Sequence, residues 1–227
     1  MNRYPLTFDQ AITILRRELS DYQPDDKLVS RYALPSFLTV NAEALQGMSQ
    51  KAVLLLLYPI DDMPFLALHR RAATMRTEAS VYAPPGGGMD PGESPEETAV
   101  REAGEELDID LSVQCVINRL VAVNREKSRM WIQAVVGCIE FRPSFTPPPL
   151  DHNEVAAIFE IPLEEILSDT AVRRAKYGRN DYDEPCFELE SSFTHSVHGD
   201  EPLIQLFGPS SVFLGALRDI FLSAENG

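Results

Sequence analysis

The sequence predicts an α/β fold. Residues 52–58 form a short and almost wholly apolar run, which is typical of a strand buried on both faces of its sheet. Residues 94–97 are Ser-Pro-Glu-Glu, which supplies the cap, the first-turn proline and the capping-box glutamate of a helix over residues 95–107. The length of 227 residues predicts one globular domain with appended elements.

The chain is expected to open with an amphipathic helix. Thr7 and Gln10 have the spacing of a capping box, and apolar residues follow them at helical intervals. Residues 20–50 show no regular pattern. We therefore expect residues 1–50 to be an N-terminal helix with an irregular extension, and residues 51–227 to be the main part of a single globular domain.

The rest of the chain predicts a succession of strands, loops and helices. Pro59 should end the buried strand, and the glycines of Pro-Pro-Gly-Gly-Gly at residues 84–88 should form a loop that approaches a ligand or metal closely. Residues 169–202 are polar and aperiodic, which predicts a flexible excursion. The other expected elements are strands over residues 65–69, 113–124, 130–141, 155–161 and 203–207, and helices over residues 162–167 and 210–224.

Composition excludes several classes of partner. The formal net charge is −15, and each contact with a nucleic-acid phosphate or an anionic membrane requires Lys or Arg, so neither partner is expected. No segment has the apolar length of a membrane span or of a signal-peptide core, and we expect a cytoplasmic protein. The three cysteines have no metal-ligand spacing and should remain unpaired. The oligomeric state stays open, with a homodimer as one alternative.

Three glutamates lie on one side of the predicted helix over residues 95–107. Glu102, Glu105 and Glu106 are spaced i, i+3 and i+4, which stacks their carboxylates within one turn. By frequency alone, the ordinary interpretation is a solvated acidic face. Carboxylate oxygens are also the ligands that Mg²⁺ prefers, so the same spacing allows a metal site.

Six residues in and before this helix resemble the Nudix box. Its pattern is Gly-x5-Glu-x7-Arg-Glu-U-x-Glu-Glu-x-Gly-U, with U an aliphatic residue, and the matching residues are Gly87, Glu93, Arg101, Glu102, Glu105 and Glu106. Two positions differ, because Ala103 is a small aliphatic residue and Asp108 replaces the glycine that closes the helix. Asp tolerates the left-handed conformation wanted there, so we expect a modest stability cost.

The resemblance implies a Nudix fold, which is an α/β/α sandwich with a mixed central sheet. It also implies a metal-dependent hydrolase that cleaves a pyrophosphate bond in a small nucleotide substrate. The metal, Mg²⁺ or Mn²⁺, would be bound by Glu102, Glu105 and Glu106, with the backbone carbonyl of Gly87 nearby. A bound cation offsets the charge of the substrate and lowers the pKa of a bound water.

The same resemblance assigns further roles around the glutamates. Arg101 would pair with Glu93 and brace the glycine loop against the helix. Glu154, outside the box, is the candidate for a further metal ligand or general base. The catalytic residues implied in this way are Glu102, Glu105, Arg101 and Glu154.

Residues before the box are similar to the signature of coenzyme A pyrophosphatases. The segment Arg71-Ala72-x3-Arg76-x3-Ser80-x3-Pro84-Pro85-Gly86-Gly87 keeps both arginines and the spacing of Arg-[Ser/Ala]-x3-Arg-x3-Gly-x3-Phe-Pro-Gly-Gly. This resemblance implies cleavage of coenzyme A or acyl-CoA to 4′-phosphopantetheine and adenosine 3′,5′-bisphosphate. The substrate-binding residues would be Arg71, Arg76, Gly86 and Gly87.

Two alternatives remain open from the sequence. Ser80 and Pro84 differ from the signature, which allows another pyrophosphate substrate such as ADP-ribose, NADH or a dinucleotide. A Nudix fold can also serve as a nucleotide-binding or regulatory module without turnover, because a fold alone does not determine activity.

Overall fold

The computed structural model describes residues 6–34, 36–41, 43–74, 79–145, 154–176, 183–190, 195–196 and 203–224. The helices in this part of the chain are α1 (Phe8–Glu18), α2 (Leu28–Tyr32), α3 (Pro95–Leu107), α4 (Leu163–Leu167) and α5 (Gly208–Ala224). The strands are β1 (Thr39–Val40), β2 (Ser49–Ile60), β3 (Met63–Arg71), β4 (Tyr82–Ala83), β5 (Gly86–Gly88), β6 (Val116–Arg125), β7 (Met130–Cys138), β8 (Val155–Pro162), β9 (Val172–Lys176), β10 (Asp183–Glu190), β11 (His195–Ser196) and β12 (Leu203–Leu206).

The described strands form two sheets. The larger has nine strands in the order β1-β6-β7-β2-β3-β8-β11, with β4 beside β3 and β5 beside β2. Strands β2 and β7 run parallel, whereas β2 and β3 run antiparallel, so the sheet is mixed. The second sheet has three strands in the order β12-β10-β9. Residues 54–58 of the central strand β2 are fully buried.

Helices cover both faces of the central sheet because β2 presents apolar side chains on both. Leu55 and Leu57 belong to a core cluster that includes residues of α1, α2, α4, α5 and the second sheet. Leu54 and Leu56 belong to another cluster that includes the apolar side of α3. The predicted α/β/α sandwich with a mixed sheet is therefore confirmed.

Strand β2 continues beyond Pro59, where the sequence predicted its end. Pro59 lies opposite Pro64 in the antiparallel pair with β3, a position at which neither residue has an N–H to donate. Asp61 and Asp62 make the turn, with φ of 49° and 65°. Two consecutive positive φ values are typical of the hairpin turn that matches the twist of its strands.

The N-terminal extension is more regular than predicted. Helix α2 and strand β1 lie within the stretch expected to be irregular, and α2 has no side-chain cap that could have signalled it. Tertiary contacts hold α2 instead: Leu28 and Tyr32 are buried, and the Tyr32 hydroxyl donates a hydrogen bond to Asp219 Oδ1 of α5 at 2.6 Å. Contacts with distant parts of the chain therefore stabilise α2, whereas its local sequence did not predict a helix.

Two other expectations were wrong. The glycines at residues 86–88 form strand β5, paired antiparallel with β2, rather than a loop. Residues 169–202 do not form a flexible excursion throughout, because β9 and β10 pair with each other and β10 pairs with β12. The three cysteines are unpaired, as predicted. No helix in the described ranges is long and apolar enough to cross a membrane.

Helix α3 begins and ends where the sequence predicted. Ser94 and Glu97 form a capping box at its start, and Pro95 occupies the first turn. At its end Asp108 adopts the left-handed conformation, with φ 54° and ψ 50°. The departure from glycine in the box pattern therefore falls at the position where glycine is conformationally easiest.

Replacing Asp108 with glycine should stabilise the protein by about 0.5–1 kcal/mol, because glycine reaches this conformation without a Cβ clash. Urea denaturation of Asp108→Gly and wild type measures the difference. The matched control is Asp110→Gly, since Asp110 is also exposed but is not among the positive-φ residues. That control should lower stability, because it only adds freedom to the unfolded chain. A stability gain in the control but not in Asp108→Gly would contradict this account.

Candidate active site

Strand β5 brings its glycine backbone against helix α3. The Gly86 N–H donates a hydrogen bond to Glu106 Oε2 at 2.8 Å. A Cβ on Gly87 would overlap the carboxylate of Glu102, and a Cβ on Gly86 would overlap the backbone of β2. Only residues without side chains allow the strand to lie between β2 and the acidic helix at this distance.

Arg101 ties the middle of α3 to the segment before the helix. Its Nε donates to Glu93 Oε1 at 2.8 Å and its Nη2 to the carbonyl of Gly88 at 2.9 Å. Its Nη1 lies 3.0 Å from Glu102 Oε1 and 3.5 Å from Glu105 Oε2. The hydrogen bond from Arg101 lowers the pKa of Glu93 to about 2. The pair expected between Arg101 and Glu93 is thus present, and it fixes the segment against the helix.

Glu106 is a carboxyl group held almost out of solvent, with 5% of its side chain exposed. Burial raises the pKa of Glu106 to about 8, because desolvation disfavours the charged form. The Gly86 N–H opposes this shift, whereas the charges of Glu102 and Glu154 reinforce it. Burial likewise raises the pKa of Glu102, although the hydrogen bond from Arg101 opposes it. The site therefore holds several acidic groups close together, and the positive groups of the protein offset only part of their negative charge.

Two residues of β3 border Glu106. His69 Nδ1 lies 3.5 Å from Glu106 Oε2, and Arg71 Nη1 lies 3.7 Å from Glu106 Oε1. Burial, followed by the charge of Arg71, lowers the pKa of His69 to about 3, so the imidazole is neutral and the contact is not an ion pair. Neither ring nitrogen of His69 has a hydrogen-bond partner among the described residues.

His69 is a site residue that the sequence did not predict. Residues i and i+2 of a strand share one face, so the assignment of Arg71 as a substrate-binding residue already placed His69 beside it. The neighbouring prediction for Arg76 concerns a residue outside the described ranges. Gly86 and Gly87 lie together next to Arg71 along a shared cavity wall.

The glutamates expected to bind metal are near one another but not yet arranged around one point. Within the described part of the chain, no three acidic, His or Cys side chains converge as a metal site does. The side chain of Glu105 is 63% exposed and lies beside Arg101 rather than turned inward. The donor set fits Mg²⁺ or Mn²⁺ chemically, since carboxylate oxygens are the ligands that such cations prefer. A cation would also offset the charge of Glu102 and Glu106, whose pKa values are raised.

Glu154 lies near the acidic cluster, although it is far from α3 in sequence. Its backbone carbonyl accepts a hydrogen bond from the Ala72 N–H at 2.8 Å. Its charge contributes to the raised pKa values of both Glu102 and Glu106. The fold thus brings the predicted additional acid to the same region, where its role stays a prediction.

A cavity of about 480 Å³ opens beside the glycine strand. It extends from Gly86 and Gly87 to the N-terminal extension and the start of α5. The basic residues that line it are Lys51, Arg71, Arg125 and Lys127. Apolar residues line it as well, among them Phe37, Leu38 and Phe213. In a protein of net charge −15, this grouping of basic side chains creates a local region suited to an anion.

The raised pKa of Glu106 predicts how the stability of the metal-free protein depends on pH. The unfolded chain ionises Glu106 near its ordinary pKa of 4.5, whereas the folded protein does so at about 8. Stability is therefore greatest below the unfolded pKa and falls as pH rises towards the folded one, by up to about 1 kcal/mol per pH unit. Glu106→Gln should remove this dependence and raise the melting temperature at neutral pH.

Thermal melts in EDTA across about pH 5 to pH 8 measure the effect. The difference between Glu106→Gln and wild type should grow with pH over that range. Glu140→Gln, at an exposed position, is the matched control and should follow wild type. Parallel curves for Glu106→Gln and wild type would show that burial of Glu106 does not penalise its charge.

The chain is similar in sequence to proteins of a known family. The NUDIX domain model matches residues 48–180. Nudix hydrolase 3 of Caenorhabditis elegans is 29% identical over 154 residues, spanning 68% of this chain and 63% of that protein. The uncharacterized Nudix hydrolase NudL of Yersinia pestis (strain Pestoides F) is 33% identical over 156 residues, spanning 66% of this chain and 76% of its own length.

Among solved structures, a MutT/nudix family protein from Enterococcus faecalis aligns over 96% of this chain and 76% of its own, with 15% identity and a TM-score of 0.49. The segment matched by the domain model contains all six box residues and the β5–α3 unit that positions them. The chain therefore belongs to the Nudix domain family.

Proposed function

We propose that this protein is a metal-dependent pyrophosphohydrolase acting on a small nucleotide-containing metabolite. One observation carries the proposal: the buried carboxyl of Glu106 and the half-buried carboxyl of Glu102 lie against a glycine strand that also lines a cavity of about 480 Å³. A cavity of this size holds a metabolite rather than a macromolecule. The net charge of −15 likewise argues against nucleic acid as the substrate.

Glu102, Glu105 and Glu106 are the residues that would bind Mg²⁺ or Mn²⁺. The bound cation would offset the negative charge of the diphosphate and supply a water of lowered pKa as the nucleophile. The buried position of Glu106 supports this role, because a carboxylate that the protein destabilises gains most from a cation beside it.

Other side chains would prepare the substrate. Arg71 lines the cavity next to Glu106 and would hold phosphate oxygens by charge-assisted hydrogen bonds. The backbone of Gly86 and Gly87 allows the diphosphate to approach closely. Arg101 would keep the glutamates in place through its contacts with Glu93 and Glu102, and Glu154 would act as an additional ligand or as the base.

Coenzyme A or an acyl-CoA is the substrate we favour. The support is the signature before the box, with Arg71 retained, together with a cavity that combines basic and apolar walls. Such a cavity suits a molecule that carries several phosphates and a long, mostly uncharged arm. Cleavage would give 4′-phosphopantetheine and adenosine 3′,5′-bisphosphate. ADP-ribose, NADH and dinucleotides are the alternatives within the same reaction class.

Substrate profiling tests this proposal. Coenzyme A, acetyl-CoA, ADP-ribose, NADH and diadenosine tetraphosphate are incubated with Mg²⁺ or Mn²⁺, and phosphate release is measured after coupled phosphatase digestion. We expect hydrolysis that EDTA abolishes, with the highest kcat/KM for a coenzyme A species. Preference for another compound would retain the reaction and replace the substrate. No hydrolysis of any compound would favour a nucleotide-binding module without turnover.

Gly87→Ala should lower kcat by about 100-fold while changing stability little. Its Cβ would displace the Glu102 carboxylate, and misplacement of a catalytic group by about 1 Å costs on this order. The displaced atoms are the end of a flexible side chain, so the fold can accommodate them. Gly88→Ala is the matched control, because a Cβ there meets nothing within 4 Å. Equal activity of the two variants would argue against a role for the position of Glu102.

A further inference from the structure

The cavity has a wall that the proposed chemistry does not use. Strand β10 contributes Glu184 to this wall, alongside the start of α5 and the N-terminal extension. This wall belongs to the three-stranded sheet, whereas the glutamates of α3 and the glycine strand belong to the central sheet and its opposite helix layer. The cavity therefore joins two regions of different chemical character.

Glu184 is buried without a described partner. The residue is 6% exposed, and no hydrogen bond or ion pair to its carboxyl group is present among the described residues. Burial raises the pKa of Glu184, and no other described group contributes to the shift. Burying such a group without a partner costs stability, so a ligand in the cavity that donates a hydrogen bond to Glu184 would be favoured.

Glu160 is a buried carboxylate with a structural role, and it is paired within the chain. It is fully buried, and Arg142 donates two hydrogen bonds to it, from Nε at 3.1 Å and from Nη2 at 2.5 Å. Within the described ranges, no arginine pairs with Glu184, although basic side chains line other parts of the same cavity. The contrast leaves the carboxyl group of Glu184 open to a donor group of a ligand in the cavity.

We propose that Glu184 is a specificity-determining residue that accepts a hydrogen bond from a hydroxyl, amide N–H or amino group in the non-reacting part of the substrate. This inference rests on the proposed function, since it assumes that the substrate fills the cavity. A phosphate cannot be the partner, because a buried carboxylate repels it. Glu184 thus directs a neutral or cationic donor group to its own wall and leaves the diphosphate to Arg71 and the glycine strand.

Measurements of binding test this inference independently of hydrolysis. Titration calorimetry with coenzyme A and with ADP-ribose in EDTA measures affinity where no hydrolysis occurs. Removing the acceptor in Glu184→Leu should weaken binding of the better ligand by about 10- to 100-fold. Glu184→Gln retains one acceptor oxygen and should lie between that variant and wild type. Asp183→Asn, an exposed acid next to it on β10, is the matched control and should bind as wild type does.

Stability distinguishes a ligand-binding role from a structural one. Glu184→Leu should melt at the same temperature as wild type or higher, because it removes a buried carboxyl without breaking any described contact. In the kinetic assay it should raise KM and leave kcat within about twofold. A lower melting temperature, unchanged affinity in both variants, or no binding of either probe to wild type would overturn the inference. Absence of hydrolysis with this binding pattern intact would overturn only the proposed function.

Discussion

The contact on which the candidate site depends is the close approach of the glycine strand β5 to helix α3. The strand is fixed by pairing with β2, and the helix is fixed by its apolar side against the same sheet. Glu106 and Glu102 are consequently pressed against backbone rather than extended into water. Because no side chain separates the two elements, the position of each carboxyl group follows from the packing of the sheet and not from the side chain's own preferences.

This arrangement is electrostatically unfavourable, because it holds acidic groups close together and partly out of water. Burial and repulsion from neighbouring glutamates raise the pKa values of Glu102 and Glu106, and the neighbouring His69 is neutral and provides no charge. Arg101 and Arg71 compensate the acids only in part. Proteins place such destabilising clusters where binding provides the missing compensation. The same principle applies to Glu184 on the opposite wall, although its expected partner is a hydrogen-bond donor rather than a cation.

Local sequence signals predicted the elements whose ends are fixed by their own capping residues. The capping box predicted where α3 begins. The left-handed conformation of Asp108 was predicted because this residue occupies the position where the box pattern has glycine. Long-range packing produced what the sequence did not reveal. Helix α2 has no cap, strand β5 consists of glycines, and residues such as Lys127 and Glu184 meet one cavity only after the chain has folded. The spacing of residues along the chain does not show which of them will line the same cavity.

The N-terminal extension forms part of the cavity wall, and there the ammonium group of Lys127 lies 4.2 Å from the ring centre of Phe37 in a cation–π contact. Phe37 precedes the segment that matches the family model, which begins at residue 48. The glutamates of the candidate site therefore lie within the matched segment, whereas part of the cavity wall comes from sequence that precedes it. Under the proposed function, exchange of this leading segment would change which ligands fit the cavity and leave the glutamates of α3 in place, so ligand range and chemistry could evolve independently.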